Sequence, residues 1–219
     1  MVTMRRIIEY VHKNPRVLFF LYLPVYLTWF VLLERFVRTG YYVSYMPLDD
    51  LIPFVPAFVL VYVLWYPYLA VPAAYLYFRD AKAFVRFGVY FMISFSVSLF
   101  VCTVFPNGQD LRPADPGNGF FPWLVGRLYA ADTNTNVLPS MHVVGCAGII
   151  FAAFDSPRLK KARFPLLALG FLIAISTVMV KQHSVLDIVW GIAVAVAAAL
   201  PAYARRLTGI GTNRPKRAS

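Results

Sequence analysis

Cysteine, histidine and charge are scarce in this chain. Only two cysteines occur in 219 residues, Cys102 and Cys146, and each lies inside an apolar run. A disulfide framework is thereby excluded, and both read as small buried fillers. Charged residues make up 14% of the chain, with 10 Asp and Glu against 21 Lys and Arg, well under the roughly 25% usual in soluble domains. They also cluster between long apolar runs, as in a polytopic membrane protein. A net charge of +11 would otherwise suggest nucleic acid. Its location in loops and tails, with no interleaved basic and aromatic module, excludes that reading. The first apolar run lacks a small-residue cleavage site and so reads as a retained span, not a signal peptide.

What fills the chain instead is apolar: 60% of residues are hydrophobic. The expected fold is all-α, a polytopic membrane bundle of six transmembrane helices with both termini cytoplasmic. Residues 1–16 form an amphipathic cytoplasmic segment carrying Arg5, Arg6, Lys13 and Arg16, with His12 at headgroup level. Residues 17–204 form one six-span domain, and 205–219 a basic cytoplasmic tail. Spans are expected at 17–33, kinked at Pro24, then at 56–78, 87–105, 139–154, 164–180 and 185–204. Asp49 and Asp50 read as N-terminal anchors for the second span, and its Trp65, Tyr66, Tyr68, Tyr75 and Tyr77 as an interfacial belt. Arg79, Asp80, Lys82 and Arg86 make a tight turn. The polar stretch 106–138 is long enough to be functional, and Phe120 to Tyr129 within it is apolar enough to lie on the bilayer surface. The fourth span has about 16 residues against the ~20 needed, so its histidine end must sit near the polar surface or line a cavity.

Orientation follows from the cations. The N-terminus, second loop, fourth loop and C-terminus hold 16 of the 21 Lys and Arg, which places them inside the cell. Two of the three histidines, His142 and His183, then share the outer face. His183 and Asp187 are four apart and lie on one helical face. Such an Asp fixes the imidazole tautomer and leaves the other ring nitrogen free, which prepares a nucleophile. His142, heading another span, can approach a substrate from the opposite side as general acid or base. Ionisable groups inside a membrane span are functional by default; the plainer alternative is a satisfied polar bridge between helices. Pro139-Ser140-Met141-His142 starts a helix, where backbone N–H groups favour phosphate. Arg112, Arg127 and Lys181 share that face, so Arg112, Ser140, Lys181 and Arg127 are the candidate phosphate-binding residues. Zinc would be another use of two His and one Asp, but no i, i+4 His pair or cysteine supports it. No cofactor is implied.

The motif Pro-Ser-x-His at 139–142, with Ser-x6-His-x3-Asp from Ser176 to Asp187, resembles the type 2 phosphatidic acid phosphatase superfamily of six-span membrane phosphatases and phosphotransferases. The likeness covers about Leu111 to Gly191. Asp49 to Phe54 and the Lys181-Gln182-His183 break look closest to the inositol phosphorylceramide synthase-like, or inositolphosphotransferase, branch. The resemblance implies that His183 attacks phosphorus to form a phosphohistidine, that Asp187 orients it, and that His142 protonates the leaving alkoxide. It also implies a multi-pass cell-membrane enzyme acting on a lipid phosphate or phospholipid headgroup. A catalytically silent protein that binds or moves lipids on the same scaffold is the alternative. The chain departs from the pattern at three places: Phe105 stands where the superfamily has Lys, Thr177 where it has Arg, and Met141 where it has Gly. Lys181, four residues after Thr177, is expected to replace the lost guanidinium on a continued helix, as a less directional point charge.

Overall fold

The helices follow the apolar runs, and polar caps and prolines mark their ends. In this computed structural model residues 16–37 and 39–207 are described, with residues 6, 9–11 and 14 before them. His12, most of the N-terminal segment and the tail beyond 207 lie outside the described residues. Helix α1 (Val17–Phe36) passes through Pro24 without ending. After it come a two-residue strand β1 (Tyr42–Val43) and the single turn α2 (Leu48–Leu51). The second apolar run is interrupted: a 3-10 turn at Pro56–Phe58 leads into α3 (Val59–Val63), and α4 (Trp65–Arg79) resumes after Leu64. Pro67 explains the break, since it has no N–H for the Val63 carbonyl and its ring crowds that oxygen.

Helix α5 (Ala81–Val104) begins six residues before the expected third span. Asp80 caps it, accepting from the Ala83 amide at 3.1 Å, and this N-cap outweighs the nearby cations as a start signal. Lys82 and Arg86 therefore lie inside the helix, not in a turn, and Arg86 pairs with Asp155. Strand β2 (Asn107–Gly108) pairs in parallel with β1 and joins the first and third loops. The amphipathic α6 (Phe120–Ala131) follows, then α7 (Met141–Asp155), a 3-10 turn Pro157–Ala162, α8 (Arg163–Met179) and α9 (Val185–Leu207).

Among the described residues, five helical segments are long and apolar enough to cross a membrane: Phe19–Phe36, Pro56–Arg79, Ala81–Val104, Pro157–Met179 and Val185–Ala204. Their outward faces are apolar, with Phe36, Phe78, Val71 and Phe164 all more than 60% exposed, as suits a multi-pass membrane protein. The sixth apolar helix, α7, has 15 residues, and 11 of them are buried. It runs through the middle of the bundle against α4, α5, α8 and α9. Its glycines permit this: a Cβ on Gly148 would lie 2.5 Å from the Tyr90 ring, and one on Gly145 2.9 Å from Trp65 Nε1. Small residues at such crossings let helices approach closely. The aromatics of α4 do not all form a belt. Tyr66 and Tyr75 face outward, but Tyr68 is buried and donates to the Leu166 carbonyl at 2.9 Å.

Candidate active site

Both histidine motifs are pinned by the loops before them. Asn107 exchanges two hydrogen bonds with Leu138, from Leu138 N to Oδ1 at 2.8 Å and from Nδ2 to Leu138 O at 2.9 Å. Ser140 then starts α7: its hydroxyl accepts from the Val143 amide at 3.5 Å, and its own amide donates to the Asp187 carbonyl at 3.1 Å. His142 falls in the first turn. Its ring lies 4.5 Å from those of Tyr62 and Trp65, and Trp65 Nε1 donates to its carbonyl at 3.2 Å.

The second motif turns back on itself. Helix α8 stops at Met179, Lys181 takes the left-handed conformation with φ 53, and the amides of Gln182 and His183 return to the Thr177 carbonyl at 2.9 and 3.2 Å. This satisfies an orphan carbonyl at the helix end. Asp49 then caps the next helix, accepting from Ser184 Oγ at 2.6 Å and from the Val185 amide at 2.8 Å. Asp49 thus anchors the start of α9 and not the span that follows it in sequence, because the first loop folds over the 181–185 turn.

This geometry brings His142, His183 and Asp187 together. Asp187 Oδ2 lies 3.1 Å from His183 Nδ1, and His183 Nε2 lies 3.3 Å from His142 Nδ1. Ser44 Oγ donates to Asp187 Oδ1, and the Ser184 amide to Oδ2. An ionised carboxylate only accepts, which assigns the hydrogen of His183 to Nδ1. With both rings neutral, His142 Nδ1–H donates to His183 Nε2, and His142 Nε2 is left bare. That nitrogen is buried and has no hydrogen-bond partner. The two histidines touch instead of flanking a gap. At 9%, 6% and 0% exposure for His142, His183 and Asp187, the described state is closed.

The four candidate phosphate-binding residues are placed differently. Arg112 donates to the carbonyls of Asp132 at 2.8 Å and Thr133 at 2.6 Å, and stacks 4.4 Å over Tyr129, so its guanidinium closes the C-terminal end of α6. Burial lowers its pKa, and Asp132 opposes that shift. The same burial pushes the Tyr129 phenol up to about 12, where it stays a donor, to the Val180 carbonyl at 2.6 Å. Lys181 does not continue α8. Its Nζ donates to the carbonyls of Asp49 at 2.8 Å and Ile52 at 2.6 Å. Ser140 uses both its hydroxyl and its amide within the fold. Arg127 is exposed on α6. Phe105 lies against Tyr42, and Thr177 is buried and donates to the Ala174 carbonyl.

Around the histidines, Ser44, Tyr62 and Asp132 carry no sequence signal of their own, while Trp65 reads in the sequence only as part of a belt and Gln182 only as part of the break before His183. Asp132 Oδ2 accepts from Tyr62 Oη and Gln182 Nε2, both at 2.9 Å. A carboxylate therefore braces the tyrosine against His142 and the residue before His183. Its place in a polar loop gave no hint of this, because Tyr62 lies 70 residues away. Among the described residues no group of three or more His, Cys, Asp and Glu is arranged to hold a metal ion. Comparison with protein-family models, curated proteins and solved structures finds no match to the chain.

Proposed function

We propose that this protein is an integral membrane phosphoryl-transfer enzyme, a lipid phosphatase or headgroup phosphotransferase, that works through a phosphohistidine on His183. The observation that carries this reading is the buried chain from Asp187 through His183 to His142. Asp187 holds the His183 hydrogen on Nδ1 and so frees the Nε2 lone pair for attack. His142 presents an N–H at that same nitrogen. When a phosphate ester enters between the rings, Nε2 forms the bond to phosphorus and the bond to the ester oxygen breaks. His142 enters this step as the imidazolium, with its otherwise bare Nε2 protonated, gives the proton on Nδ1 to the departing alkoxide and returns to the neutral ring. Water or an alcohol then gives its proton back to His142 and displaces His183 from phosphorus. With six spans, α7 being the short one, and both termini cytoplasmic, the histidines face the outer leaflet. The substrate is a lipid phosphate or phospholipid headgroup.

Two observations favour a second reading, a catalytically silent protein that binds or moves lipids. Arg112 and Lys181 spend their donors on backbone carbonyls, and the Asp132 carboxylate stands beside the site. One experiment separates the two. Purified protein is incubated with a lipid phosphate radiolabelled on phosphorus, and phosphoprotein, free phosphate and exchanged headgroups are measured. The enzyme yields an acid-labile phosphoprotein that His183→Ala abolishes. Its products distinguish hydrolysis from transfer. Wild type that gives no phosphoprotein, no phosphate and no exchange would falsify the enzyme reading.

A further inference from the structure

Ser44 is fully buried, in the first loop, 143 residues before Asp187. Its backbone is fixed by the pairing of β1 with β2, through a hydrogen bond from Ser44 N to the Gly108 carbonyl at 2.7 Å. Residue 107 of the same strand pins Leu138, at the head of the other histidine motif. The Ser44 hydroxyl donates to Asp187 Oδ1. The second oxygen, Oδ2, takes the Ser184 amide at 2.9 Å and faces His183 Nδ1. We propose that Ser44 is a positioning residue for His183, its hydroxyl holding the Asp187 carboxylate so that Oδ2 stays on the imidazole.

The physical case is one of satisfaction. Asp187 is 0% exposed, so no water replaces a lost donor, and a buried carboxylate oxygen without a partner is costly. Without the Ser44 hydroxyl the carboxylate gains by rotating to share its remaining donors between both oxygens. The hydrogen on His183 Nδ1 then loses its fixed acceptor. As a contribution to turnover this rests on the phosphohistidine reading; as a control of tautomer it does not.

The experiment uses the full chain in lipid nanodiscs with histidine labelled at both ring nitrogens. The His183 signals are identified as those missing in His183→Asn. Wild type shows a single Nδ1–H tautomer of His183 by nitrogen NMR. Ser44→Ala converts it to a mixture and slows phosphoprotein formation by about tenfold to a hundredfold, as expected for one hydrogen bond to a charged group. Ser44→Thr, which keeps the hydroxyl, restores both. Should Ser44→Ala give no folded protein, Ser44→Cys, near in size but a feeble donor, is read the same way. An unchanged single tautomer in the folded variant overturns the proposal, even if thermal stability falls. A tautomer lost in Ser44→Ala while wild type forms no phosphoprotein sustains the Ser44 role and sinks the enzyme reading instead.

Discussion

Lys181 shows how one backbone angle redirects a side chain. On a continued helix its ammonium would rise one turn above Thr177. The left-handed φ of 53 at this residue ends the helix and sends the chain back over the first loop. There the ammonium satisfies the carbonyls of Asp49 and Ile52, two of the oxygens left open by the single turn α2. Lys181→Ala should therefore lower stability by about 2 kcal/mol, the scale of hydrogen bonds from a charged donor, measured by thermal unfolding in detergent. An unchanged midpoint with abolished phosphate release would place the ammonium on substrate instead. The polar residues Lys181 to Ser184 marked the position of this turn in the sequence, but with no glycine or proline among them the left-handed angle that redirects Lys181 was not legible. The His183 and Asp187 pair was legible, because i, i+4 spacing alone puts both on one helical face. Ser44 was not: a lone serine in a polar loop carries no period, and its partner lies 143 residues away.

Among the elements, α7 is the one whose packing decides the site. It carries His142, and its glycines set how near α4 and α5 can come. Gly148→Ala puts a methyl 2.5 Å from the edge of the fully buried Tyr90 ring, whose hydroxyl is tied to the Val144 carbonyl at 2.8 Å. Neither side can yield freely. The substitution is expected to cost about 1–3 kcal/mol by overpacking, whereas Gly126→Ala in α6, with no atom within 4 Å of the new Cβ, is neutral or slightly stabilising. Unfolding of the two variants side by side checks this; equal midpoints would mean that the α7 crossing has slack. The apolar runs made the five long helical segments and the shorter α7 legible, to within a few residues at most ends. Two boundaries were missed for local reasons: Asp80 starts α5 early as an N-cap, and Pro67 splits the second run.

For the whole molecule, the orientation proposed from the cation count is tested by a topology reporter. A fluorescent protein that matures only in the cytoplasm, joined after Leu207, should glow. A phosphatase reporter active only outside, inserted at Gly117, should be active. The reverse pattern would turn the histidines to the cytoplasm. The loops, not the spans, were what the sequence left unread, since β1, β2 and the Asp49 cap join segments more than 60 residues apart with no periodic signature. The same contacts bear on movement. Helix α7 is clamped at its start by Asn107 and by the Asp187 carbonyl, and at its finish by the Arg86 pair and by Arg163 on the Ala153 carbonyl at 3.0 Å. A rod held at both ends cannot act as a piston. The turn at 180–184 is held as firmly, by Lys181 on the Asp49 and Ile52 carbonyls and by Asp49 on Ser184 and Val185, so the two imidazoles meet like the jaws of a vice bolted down on both sides.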